Sequence, residues 1–137
     1  LCARTALRAG ARSWFYLSTD RCRSWQGPYR LPQFGQTGVA ARTDYLVDGP
    51  QRCTLFLTAA KPDGEEGRVF CARTEDRGRN FRFLSWVTPE PEGYTIMPAS
   101  VQLASGRILT AVRASESRVS APARRCWWSQ RPGRAYR

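Results

Sequence analysis

The chain has 137 residues, 22 basic and 11 acidic side chains and no His, a formal net charge of +11, which bounds it to one small domain or a piece of one. Without an imidazole, a Ser-His-Asp triad, a His proton shuttle and a His-ligated zinc site are all excluded. The charge is also uneven: residues 1–43 hold 7 Arg against Asp20, residues 44–116 hold 9 basic and 10 acidic groups, and residues 117–137 hold 6 Arg and no acid. Two basic flanks around a neutral middle are weaker evidence for a nucleic-acid partner than the total suggests, so none is expected.

In chain order, the first apolar run is Trp14–Leu17. Strands are predicted at Ala41–Val47, Thr54–Ala60, Arg68–Thr74 and Phe81–Val87. Turn residues separate them, namely Asp48-Gly49-Pro50, Pro62-Asp63-Gly64 and Asp76-Arg77-Gly78. A further pair follows at Met97–Leu103 and Ile108–Arg113, joined by Ser105-Gly106. No segment carries a helical period, so the expectation is an all-β fold.

Five cysteines, Cys2, Cys22, Cys53, Cys71 and Cys126, are an odd number with no close spacing. No C-x-x-C metal or redox motif exists, buried free thiols are expected, and neither a metal nor a cofactor is. No run approaches the roughly 18 apolar residues of a membrane helix, and no signal-peptide pattern opens the chain. The first residue is Leu1 and the single Met is Met97, which reads as a segment of a longer frame. Compartment and oligomeric state are therefore left open, a secreted or periplasmic parent included.

The most informative feature is an internal repeat. Trp14–Leu17 leads into Ser18-Thr19-Asp20-Arg21-Cys22-Arg23-Ser24-Trp25, and Val69–Arg73 leads into Thr74-Glu75-Asp76-Arg77-Gly78-Arg79-Asn80-Phe81. Each octet has a hydroxyl residue, Asp two positions later and an aromatic seven later. A degenerate copy, 129–136, follows Cys126-Trp127-Trp128 and carries Arg131 where Asp belongs. A period of 56 and then 55 residues, with about four short strands per unit, is that of a β-propeller blade.

The octet resembles the Asp box, S-x-D-x-G-x-x-W, of bacterial neuraminidase (BNR) repeats, and residues 14–113 resemble a sialidase-superfamily propeller. The resemblance implies about two and a half four-stranded blades of a six-bladed ring, 1–137 being a fragment of one such domain with a basic tail at 117–137. In the box itself the Asp locks a turn by bonding backbone amides, Gly accepts positive φ, a position that Cys22 departs from in the first copy, and Trp25 and Phe81 are expected in the core.

The resemblance also implies an exo-α-sialidase or related glycoside hydrolase acting on terminal acidic sugars of glycans, the fragment alone being inactive. In that chemistry arginines grip the sugar carboxylate, a Tyr activated by Glu attacks the anomeric carbon, and an Asp supplies the proton. The expected site is the face opposite the boxes. Arg42 and Arg113 are the candidate carboxylate ligands, and Asp44, Tyr94 and Glu116 the candidate acid, nucleophile and activating carboxylate. The family's Arg-Ile-Pro entry motif has no match at Tyr94-Thr95-Ile96-Met97-Pro98. The alternatives are a noncatalytic propeller that binds glycan or protein, and a basic arm in which Trp127 and Trp128 stack on single-stranded nucleic acid.

Overall fold

The computed structural model of the chain describes residues 1–115 and the strand at 124–130. It is all-β: among the described residues ten strands form three antiparallel sheets and no helix is present. The first sheet contains β1 (Cys2–Arg4), β2 (Ser13–Leu17) and β3 (Gln26–Arg30) in the order β1-β2-β3. The middle sheet, in the order β4-β5-β6-β7, contains β4 (Val39–Asp48), β5 (Arg52–Ala60), β6 (Glu66–Thr74) and β7 (Arg82–Trp86). The third contains β8 (Tyr94–Gln102), β9 (Ile108–Ser115) and β10 (Arg124–Gln130), with β9 central. Every strand expected from the sequence is present within a few residues. Glu116 and the 129–136 octet beyond Gln130 lie outside the described residues.

The middle sheet is covered on both faces, which explains why β5 and β6 read as continuous apolar runs rather than alternating ones. Leu55, Leu57, Ala59, Phe70 and Ala72 point toward the first sheet and pack with Leu31, Val39 and Ala41. Phe56, Val69 and Cys71 point the other way and pack with Val87 and Val112. By contrast β3, with Pro28 at an outer edge where no ladder donor is needed, is exposed along its whole length.

One buried hydroxyl ties each seam between sheets. Ser13 Oγ donates to the Val39 carbonyl and accepts from the Ala41 amide, both at 2.8 Å. At the second seam Thr95 Oγ1 donates to the Gly67 carbonyl and accepts from the Val69 amide, both at 3.3 Å. The hydroxyl comes from β2 at one seam and from β8 at the other, yet each satisfies backbone groups that burial would otherwise leave unpaired.

The two octets fold into turns with the same wiring. Asp20 Oδ1 accepts from the Ser24 amide at 2.9 Å and Asp76 Oδ1 from the Asn80 amide at 2.9 Å. Ser18 Oγ accepts from the Cys22 amide and Thr74 Oγ1 from the Gly78 amide, both at 2.8 Å. These bonds favour the charged carboxylates. The Ser24 hydroxyl, then its amide, then Ser18 pull Asp20 down to about 2. The Asn80 amide, then its side chain, then Thr74 do the same for Asp76, to about 2.

Packing distinguishes them. Phe81 lies edge-on to Phe15 of the first sheet, centroids 5.3 Å apart, and joins the core. Trp25, expected in the core, is instead 44% exposed; among the described residues the first sheet packs against one neighbouring sheet. The buried-thiol expectation likewise holds for Cys71 and fails for Cys22, which is exposed.

The sheets thus have two distinct ends. The box turns share one with the β4–β5 turn, where the Arg77 amide bonds the Gln51 carbonyl at 3.0 Å. The β1–β2 loop, the β3–β4 connection and the β5–β6 turn meet at the other, where Ala9 bonds Gly64 at 2.7 Å and Ala60 bonds Gly38 at 2.9 Å.

Candidate functional site

The end opposite the boxes gathers charge from segments far apart in sequence. β4 breaks register at its middle: Ala41 pairs with Leu57 and Tyr45 with Leu55, so Arg42, Thr43 and Asp44 together oppose Phe56 alone. β8 has a smaller bulge, with Met97 and Pro98 opposite Val112. Met97 takes φ 53°, left-handed and unusual for a side-chain-bearing residue. Bulges re-aim side chains, and the candidate residues cluster around these two.

Arg42 reaches back across β5 to Glu66 at the start of β6. Its Nη2 donates to both carboxylate oxygens, at 2.6 and 2.7 Å, and its Nε to Oε1 at 3.0 Å. Both side chains are largely buried, 15% and 11% exposed. This bidentate pair commits the Nε and Nη2 donors, so an incoming carboxylate would have to bind through Nη1 or exchange with Glu66.

Asp44 points to the third sheet. Its Oδ2 accepts from the Ser100 hydroxyl at 2.7 Å and its Oδ1 from the Ser100 amide at 3.3 Å, while Ser100 Oγ lies 2.9 Å from Thr110 Oγ1. The carboxylate therefore straps β4 to β8, a structural task beside which any proton-transfer role would have to operate.

Tyr94 and Arg113 come together. Thr95 and its partner Ala114 face the middle sheet, so strand alternation turns Tyr94 and Arg113 to the opposite face. The Arg113 guanidinium lies 5.8 Å from the Tyr94 ring centroid, within cation–π range. Arg113 is exposed, and among the described residues no carboxylate forms an ion pair with it. No hydrogen bond among the described residues joins the Tyr94–Arg113 pair to the Arg42–Glu66 pair.

Sequence reasoning passed over Arg68. Its guanidinium stacks 4.0 Å above the Trp86 ring and reaches Glu90 at 3.4 Å. Desolvation by burial lowers its pKa, against the opposing pull of Glu90. An Arg at the mouth end of β6, one position before an apolar run, was the available signal. Lys61 at the same end pairs with Asp63 at 2.6 Å, as its Pro-Asp-Gly turn suggests.

Among the described residues no group of three or more His, Cys, Asp or Glu side chains is placed to hold a metal ion, and no helix is long and apolar enough to cross a membrane. No protein-family model, curated protein or solved structure matches the chain.

Proposed function

We propose that the chain is a run of consecutive blades from a sialidase-like BNR-repeat propeller, and that the parent protein hydrolyses terminal acidic sugars of glycans at the end of the sheets opposite the box turns. The observation that carries this reading is the pair of octets with one hydrogen-bond pattern, each joining the last two strands of its sheet, while the cationic candidates Arg42 and Arg113 lie away from them. The strand order β4-β5-β6-β7 supports it as the meander that a blade requires.

Within this reading Arg113 is the first contact for a sugar carboxylate, because its donors are not already committed to a carboxylate among the described residues. Tyr94 beneath it supplies a ring for the sugar to pack on or, in the hydrolase, the nucleophile. Arg42, held by Glu66, stiffens the rim. The test is saturation-transfer NMR on the full chain with sialyllactose and with lactose. Transfer to the sialylated sugar alone, lost in Arg113→Ala, is the expected result; equal transfer to both sugars, or none to either, contradicts the proposal.

A second reading, a propeller that binds such glycans without cleaving them, is favoured by Asp44. Both of its oxygens are engaged by Ser100, which leaves it poorly disposed as an acid. Turnover of a fluorogenic α-sialoside by the parent protein, abolished in Asp44→Asn, supports the hydrolase. Binding without turnover supports the second reading.

A further inference from the structure

Two half-buried thiols face each other across the seam between the first and middle sheets. On β5, Cys53 shares a face with Leu55 and Leu57, the face that packs toward the first sheet. On β1, Cys2 stands directly opposite Phe15 of β2, whose ring meets Phe81 beyond the seam, so Cys2 is turned toward the middle sheet. Both side chains pack against the one buried cluster between these sheets, and both line the same cavity. The backbones come close there: Cα atoms of β1 lie within 8 Å of β4, whose Val47 is paired with Cys53.

The other described cysteines are placed differently. Cys71 points from β6 to the opposite face of the middle sheet, toward the third. Cys22 is exposed on the first box turn; it reaches the cavity but does not pack on the cluster. It is therefore the natural competitor for either thiol, and the folded geometry favours the facing pair over it.

The electrostatics agree with this placement. Burial raises the Cys2 thiol above its ordinary value and pushes the Cys53 thiol up to about 11, and for Cys53 the neighbouring Cys2 is the second cause, a repulsion of like charges that acts at short range. Both thiols are thus protonated at neutral pH and are weak nucleophiles toward reagents in bulk solution. Their advantage is for each other, since two groups held face to face react without the entropic cost of meeting.

We infer that Cys2 and Cys53 are a disulfide-forming pair, a modification site that staples the first sheet to the middle one. The oxidant is a low-molecular-weight disulfide of the glutathione class. One protein thiolate attacks a sulfur of it, forming a mixed disulfide and releasing one glutathione thiolate; the other protein thiolate then attacks the protein sulfur of that mixed disulfide and releases the second. The two thiol protons end on the two glutathiones, so one disulfide is reduced for the one formed. The bond is a property of the two facing strands and needs nothing from the sugar-binding proposal or from whatever else covers the cavity.

The test oxidises the folded full chain with glutathione disulfide at about pH 8.5, quenches with acid and maps the tryptic peptides, which carry the five cysteines separately. Peptides 1–4 and 53–68 come out joined and two hydrogens lighter than their sum. The melting temperature rises by about 10 °C, because the bond closes a long loop in the unfolded chain, and dithiothreitol reverses both changes. Oxidation in denaturant instead scatters the pairs over all five cysteines. Cys53→Ser leaves Cys2 as a mixed disulfide with glutathione and removes the rise; if that variant does not fold, the peptide map of the unaltered chain decides alone. Glutathione carried singly by Cys2 and Cys53, a joined pair containing Cys22, the scatter of the denatured chain appearing in the folded one, or no reaction at either thiol overturns the inference.

Discussion

The two ends of the sheets are held by different kinds of bond. Within each box turn the side-chain hydrogen bonds close inside one octet, from a residue to one two or four positions away: Ser18 and Asp20 with Cys22 and Ser24, Thr74 and Asp76 with Gly78 and Asn80. Toward the opposite end side-chain bonds join residues 22 and 24 positions apart, Arg68 with Glu90 and Arg42 with Glu66, and at mid-sheet Asp44 reaches Ser100, 56 positions away. A turn wired within itself forms wherever its octet occurs, and it has little left over to offer a ligand. An end assembled from separate strands depends on the whole fold, and the same dependence lets it converge side chains on one place.

That contrast yields graded expectations. Arg42→Ala strands the Glu66 carboxylate where water reaches it poorly, and a broken pair of this kind costs about 3 kcal/mol; chemical denaturation measures it, and a loss below about 1 kcal/mol would show the pair to be ornamental. Gly78→Ala follows at about 2 kcal/mol. Gly78 has φ 84°, and an added Cβ would stand 3.0 Å from the Phe15 ring, combining backbone strain with overpacking. Asp44→Ala, which cuts the strap to Ser100, costs about 1 to 2 kcal/mol and raises hydrogen exchange in β8 while leaving the box turns unchanged.

Cys22→Gly is the smallest change and has the opposite sign. Cys22 occupies the position of Gly78 at φ 65° but is exposed. Relief of strain, offset by the greater entropy of an unfolded Gly, leaves a gain of at most about 1 kcal/mol. The pH dependence treats both boxes alike. Asp20 and Asp76 have folded values of about 2 against 3.8, so their stabilisation is complete above about pH 4 and is lost as pH falls toward 2. Asp20→Asn and Asp76→Asn each flatten that stretch of the melting profile; an unchanged profile in both would show the bonds to be inconsequential.

The same contrast explains what the sequence disclosed. Strand positions, the β4–β5 and β5–β6 turns and both boxes were legible because each depends on residues within a few positions, such as Asp76 two after Thr74. The bulges at Arg42–Asp44 and Met97–Pro98 were not, because a bulge is a property of two paired strands, and neither β4 nor β8 carries a Gly to announce it. The partners of the candidate residues were equally hidden. Glu66 follows the Pro62-Asp63-Gly64 turn in sequence, and only the pairing of β5 with β6 brings it to Arg42. Trp25 and Phe81 occupy one position of the repeat, yet among the described residues only Phe81 has a second sheet to pack against. Burial there is decided by neighbours, not by the octet.

The central claim is that ligand chemistry belongs to the end built from distant residues. Its most direct test is a backbone-resolved NMR titration of the full chain with sialyllactose. The account predicts shifts concentrated at Arg42, Glu66, Tyr94, Arg113 and Ser115, with the octets 18–25 and 74–81 silent. Shifts concentrated in the octets, or spread evenly over both ends, would contradict it.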